Sequence, residues 1–164
     1  MEEESKENMV KIKIPVPPND PSEVEAEWLW AEKVGDNAYA LRNIPIFVYG
    51  LSSGDVVKVK DEDGFLVFDS VAQPGGHSTY RIYTKSSEGW RDLKDPKVEK
   101  VIQSLLGMHC KMENSNNRII GIDVLPEADL HAVYKVMDDA EKAGILQFEE
   151  GHCGHPVPAQ DGTA

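Results

Sequence analysis

Residues 95–125, DPKVEKVIQSLLGMHCKMENSNNRIIGIDVL, decide the fold. Asp95 stands where a helix N-cap is wanted, and Pro96 occupies the first helical position, where its missing N–H costs nothing. Val98, Val101, Ile102, Leu105 and Leu106 recur every three or four residues, a single apolar stripe, and Gly107 stops the helix. His109 to Glu113 then reads as a strand. The asparagine-rich Asn114-Ser115-Asn116-Asn117 tolerates the left-handed backbone of a turn, and Arg118 to Leu125 is a β-branched strand.

Working outward, Ser78-Thr79-Tyr80-Arg81-Ile82-Tyr83 supplies a strand before this stretch. A second helix after it carries Leu130, Val133, Met137 and Ala140 on one face and ends at Gly144. Ile145 to Glu150 is a last strand. The order β-α-β-β-α-β is the ferredoxin-like plan, and right-handed crossovers give the sheet order fourth, first, third, second. Alternation sends Ile120, Ile122, Val124, Leu146, Phe148, Cys110 and Met112 toward the helices. It leaves Lys111, Glu113, Asp123, Gln147 and Glu149 on a wet or docking face.

Residues 24–85 read as all-β. The five runs are Glu27 to Val34, Ala38 to Leu41, Asn43 to Tyr49, Asp55 to Lys60 and Phe65 to Phe68. Asp63-Gly64 between two of them is a strong hairpin signal. Five short strands hide their edges best by curling, which predicts a small β-barrel. The fold class is therefore α+β: an N-terminal small curled β-barrel followed by a ferredoxin-like unit. The boundaries are a flexible acidic, Pro-rich tail at 1–22, a barrel-like unit at 23–77, the ferredoxin-like unit at 78–151 and a flexible tail at 152–164. Lys11 to Ile14 alternates and adds an edge strand at most.

The 164 residues carry 29 acidic against 17 basic side chains, a net charge of -12. Such a chain repels phosphate unless a local basic stripe intervenes, and no nucleic-acid partner is expected. No apolar run spans a bilayer, so no membrane partner is expected, and no signal-peptide pattern opens the sequence. Two cysteines, Cys110 and Cys153, make no disulfide framework and point to a cytoplasmic protein.

Trp30-x-Glu32, Leu41-Arg42-Asn43-Ile44-Pro45, Gly50, Gly54-Asp55-Val56-Val57 and Gly76-His77-Ser78-Thr79-Tyr80-Arg81 form an ordered set. Over residues 28 to 150 it resembles a bacterial family known only as domain of unknown function 4265. The resemblance implies a bacterial cytosolic protein and brings no catalytic residues with it. By analogy, some small acidic bacterial proteins serve as immunity partners of secreted toxins.

Three constellations carry the candidate functions. A dense acidic surface of Glu127, Asp129, Asp138, Asp139, Glu141, Glu149 and Glu150 suits docking to a basic protein, and a non-catalytic inhibitor or immunity-type binding role is the first expectation. Arg42, Arg81 and Tyr83 are the groups that would converge on a small ligand in the groove between barrel and ferredoxin-like unit. His77 with His152, Cys153 and His155 offers a metal site, because the start of the first strand and the end of the fourth lie together; no C-x-x-C knuckle accompanies them. No cofactor is expected. Serines 52, 53 and 78 lack a nucleophile elbow, and Gly75-Gly76 reads as a turn capped by Ser78 or Thr79. Trp28, Trp30 and Trp90 read as packing residues of core or interface.

Overall fold

The structure is a computed structural model that describes residues 8–18 and 24–156. Five strands close a barrel: β1 (Met9–Pro15), β2 (Ala26–Gly35), β3 (Ala38–Leu41), β4 (Val56–Glu62) and β5 (Phe65–Gln73). Neighbours run antiparallel, and β1 meets β5 in parallel where Lys13 pairs with Val67. Ile12, Ile14, Leu29, Ala31, Leu41 and Val57 alternate inward and fill it. Asn37, Asp63 and Gly64 take positive φ in the hairpin turns, as the sequence asks.

The barrel has the expected five strands, but not the expected set. The segment read as a tail contributes β1, while Asn43 to Tyr49 forms no strand. Pro45 has no N–H to give, Ile44 N–H goes to Glu113 Oε2 (3.2 Å), and the N–H groups of Ile46, Phe47 and Val48 all donate to the Glu27 carboxylate (2.7–3.1 Å). A carboxylate has lone pairs enough to take three donors, which leaves this segment none for a ladder. The remainder of the predicted N-terminal tail, residues 1–7 and 19–23, lies outside the described residues.

The second half holds β6 (Ser78–Tyr83), a small hairpin of β7 (Lys85–Ser86) and β8 (Gly89–Trp90) that the sequence did not announce, α1 (Pro96–Leu106), β9 (Cys110–Asn114), β10 (Ile119–Val124), α2 (Leu130–Lys142) and β11 (Gln147–His152). The main sheet has the order β11-β6-β10-β9. Asp95 caps α1 by accepting from Lys97 N (2.9 Å), and that bond holds its carboxyl below the usual range. Gly107 keeps an ordinary helical φ; the positive φ after α1 falls on His109 instead, whereas Gly144 takes it after α2.

One face of the sheet packs Tyr80, Ile82, Ile120, Ile122 and Val124 against Val98, Leu105, Val133 and Met137 of the helices. Cys110 joins this core, and burial pushes its thiol up to about 11. The opposite face is not the wet surface expected. Thr79, Arg81 and Asp123 on it are buried. The connection from Arg42 to Asp55 lies across it: a Cβ on Gly121 would meet Ile44 Cγ2 at 2.7 Å and Ile46 Cδ1 at 2.8 Å. Among the described residues no helix is long and apolar enough to cross a membrane.

Candidate functional site

Three of the chain's histidines gather where β6 begins and β11 ends. Pairing of Thr79 with His152 brings the ends together, and Gly154 sits so close to the His77 carbonyl that no side chain fits there. Of the tail predicted from residue 152 onward, the described residues run to Pro156, with His155 buried; residues 157–164 lie outside the described residues.

The side chains do not converge on one point. His155 Nε2 donates to Leu125 O (2.8 Å), since a carbonyl only accepts, and its Nδ1 then accepts from Ser78 Oγ (2.6 Å). Ser78 Oγ in turn accepts from the N–H groups of Gly154 and His155, so this serine latches the chain end rather than capping Gly75-Gly76. Gly75 N donates to Asp55 Oδ1 instead (2.8 Å). A second chain of bonds runs from His152 Nδ1 to Ser52 Oγ (2.8 Å), on to Thr79 Oγ1 (2.6 Å) and to Leu51 O (3.3 Å). The terminal carbonyl fixes its direction: each group donates to the next. Cys153 Sγ faces His155 O (3.6 Å). Among the described residues no three His, Cys, Asp or Glu side chains stand close enough to share a metal.

His77 is different. Its Nδ1 lies 2.8 Å from Asp123 Oδ1, with the two side chains 18% and 5% exposed. An ionised carboxylate accepts only, so Nδ1 carries the proton and the other ring nitrogen keeps its lone pair. Nε2 makes no hydrogen bond among the described residues and lies over Gly54, where a Cβ would come within 2.7 Å of it. Burial raises the Asp123 carboxyl above its ordinary value, and the bond to His77 opposes that rise.

This dyad opens on a cleft of about 290 Å³ between barrel and sheet, lined by Arg42, Ser53, Gly54, Lys111, Glu113 and others. Arg42 reaches it from the end of β3, held by Glu32 Oε1 through Nε (3.1 Å) and Nη2 (2.9 Å). Lys111 stands opposite Asp123 in the β9–β10 ladder and makes no ion pair among the described residues. Both lining carboxylates are engaged, Asp123 by His77 and Glu113 by Ile44 N and Asn43 Nδ2. Spare hydrogen-bond donors therefore outnumber spare acceptors. A wider groove of about 610 Å³ crosses α1 and α2, but its Asp139 is paired to Lys135 and it holds no buried polar group.

Of the three residues expected to converge on a ligand, only Arg42 lines this cleft. Arg81 is fully buried: it donates to Val48 O, approaches Glu149 Oε1 (3.5 Å) and lies under the Tyr49 ring. Tyr83 donates to Glu149 Oε1 at 2.5 Å; burial first, and then this bond, hold its hydroxyl above the usual range. Arg81, together with the Tyr49 hydroxyl on Glu149, ties the 46–51 segment to the sheet, while Tyr83 bonds within the sheet.

The predicted acidic docking surface is largely occupied from within. Asp129 caps α2, Asp138 and Asp139 pair with Lys142 and Lys135, Glu141 accepts from Phe148 N, Glu149 takes Tyr49 and Tyr83, and Glu150 takes Tyr80. Glu127 alone of the seven makes no such bond among the described residues. The tryptophans are not core residues: Trp28, Trp30 and Trp90 are exposed.

Sequence reasoning missed Asp123, Lys111, Glu113 and Gly54 as site residues. The available signal was antiparallel register: with Val124 opposite Ser78, Asp123 comes beside the residue that precedes β6.

The fold recurs in the crystal structure of a hypothetical protein from Neisseria gonorrhoeae, 19% identical, with a TM-score of 0.74 over 89% of this chain and 96% of that one. No curated protein matches the chain. Every residue lining the cleft, from Arg42 to Asp123, falls within residues 27–148, the span matched by the family model Domain of unknown function (DUF4265), and the chain belongs to that family.

Proposed function

We propose that this protein binds a small organic anion, a carboxylate or phosphate compound, in the cleft beside His77. The observation that carries the reading is the donor surplus: Lys111 is in no ion pair among the described residues and Arg42 has Nη1 to spare, while the Asp123 and Glu113 carboxylates are engaged. A site whose carboxylates are engaged and whose lysine and arginine keep spare N–H donors selects negative charge. The volume suits a small metabolite rather than a peptide. The reading as an acidic inhibitor of a basic protein draws less support, because six of the seven acidic groups it relies on already have internal partners.

Two finer readings accompany this. Residues 78–151 are taken as a ferredoxin-like unit, for which the order β11-β6-β10-β9 and the two helices on one face speak. The free thiols of Cys110 and Cys153 speak for a reducing bacterial cytoplasm.

The test is thermal unfolding of the full chain against a panel of small carboxylates and phosphates. A ligand at 100 times its Kd adds about 2.7 kcal/mol of stability. Saturable stabilisation that disappears in Lys111→Ala, with the unliganded melting point kept, supports the site. A flat response across the panel at millimolar concentration, or a response that survives Lys111→Ala unchanged, defeats it.

A further inference from the structure

We propose that the outer face of β1 and β2 is a binding track for single-stranded nucleic acid. The observation is a register. In the β1–β2 ladder Lys13 stands opposite Trp28 and Lys11 opposite Trp30. Ile12, Ile14, Leu29 and Ala31 alternate into the barrel, so all four of these side chains project outward. Trp28 and Trp30 are 43% and 44% exposed, and Phe65, 53% exposed, meets Trp28 edge-on at 5.5 Å. Lys11 Nζ lies 5.1 Å from the Trp30 ring centroid.

The face therefore presents a unit, one indole with one ammonium, and repeats it after two residues, about 6.8 Å along the strand. A partner that matches must itself repeat a flat apolar group and a negative charge at that pitch. An extended, unstacked nucleotide chain does so: each base offers a π-face to a ring, and each phosphate lies within reach of a lysine. A duplex hides its bases and lacks the match.

Local charge permits it despite the net negative chain. Lys11 and Lys13 form no ion pair among the described residues, while Glu32 is held by Arg42 (2.9 Å) and Glu62 by Lys60 (3.1 Å). The acidic hairpin tip at Asp61 to Asp63 bounds the track beyond Phe65. This is the local basic stripe that the net charge alone left no reason to expect. An anionic lipid surface would also attract indoles and lysines, but it has no use for the paired two-residue repeat.

The experiment is fluorescence anisotropy of the full chain with labelled oligothymidine and its RNA counterpart at low salt, with a duplex of equal length and phosphatidylserine vesicles in parallel arms. Single strands bind, and they shield the tryptophans from acrylamide quenching, a measurement that needs no variant. Lys11→Gln with Lys13→Gln weakens binding and flattens the slope of log K against log salt by about 1.4, at ~0.7 per lost phosphate contact. Trp30→Ala weakens binding about tenfold or more and leaves that slope alone. Melting curves of both variants confirm that the barrel survives exposed-site changes. Absence of single-strand binding, equal duplex binding, binding to vesicles alone, or variants that bind as the parent does would each overturn the proposal.

Discussion

On the helix side of the four-stranded sheet, Ile82, Ile120, Ile122 and Val124 are buried among the apolar stripes of α1 and α2. On the barrel side the same strands bury Thr79, Arg81 and Asp123, each held by a polar partner. The first face coheres through area removed from water, an undirected force that tolerates repacking. The second coheres through directed bonds, each costly to leave unmade, and Arg81 Nε is a buried donor on this face that finds no partner among the described residues. A cleft suited to recognising a ligand belongs on the second kind of face, and the cleft proposed to take an anion lies there.

Three consecutive residues of β10, Gly121, Ile122 and Asp123, sample both faces and let the contrast be broken stepwise. The largest effect is expected at Ile122, 1% exposed on the helix side. Ile122→Ala removes buried methylenes and leaves a hole that the helices only partly close, a loss of about 3 kcal/mol. For a chain of this size that lowers the melting point by roughly 6–12 °C. Ligand response should persist in the folded fraction, since the cleft lies across the sheet. A drop in melting point below about 2 °C would mean that the helix face is not close-packed.

Gly121 tests the opposite side with an atom added rather than removed. Its missing Cβ is what lets Ile44 and Ile46 lie against the sheet. Gly121→Ala pushes this segment away at a cost of about 2 kcal/mol, the range for overpacking a tight contact. Because Ile44 lines the cleft beside Arg42, the same change should loosen anion binding as well as lower stability. Stability lost with ligand response intact would separate the segment from the site.

Much of the helix face was legible in the sequence, and little of the barrel face was. Periods of two and of three to four residues place Ile122 and Val98 in a core without reference to anything distant. The β-α-β-β-α-β order follows from the same signals, as does the sheet order they entail. What periodicity does not carry is which remote segment covers a polar face. Nothing near Glu27 says that three N–H groups some twenty residues away will be its partners, so Asn43 to Tyr49 reads as a strand and β1 as a tail. Nor do Lys11 and Lys13 announce that an antiparallel register will set them beside Trp30 and Trp28. His77 was legible as a candidate; Asp123, its partner, read only as one more polar residue on a wet face.

Asp123 gives the smallest effect, and its sign is fixed by burial. Desolvation raises its carboxyl in the folded chain above the unfolded value, with His77 and Lys111 pulling the other way. Below the unfolded value, about 3.9, both states hold the proton and the residue contributes no pH dependence. As pH climbs from there toward the folded value, the unfolded chain releases its proton first, and stability falls. Above the folded value the penalty stays constant. Denaturant titrations across this acidic window should therefore show a downward drift with rising pH, superimposed on the other carboxylates, that Asp123→Asn removes. Asparagine cannot ionise but still fits beside His77, so the variant isolates charge from packing. If stability in that window rises with pH more steeply in the parent than in Asp123→Asn, the His77 partnership outweighs burial, and the dyad holds its charge more firmly than the enclosure of the cleft floor implies.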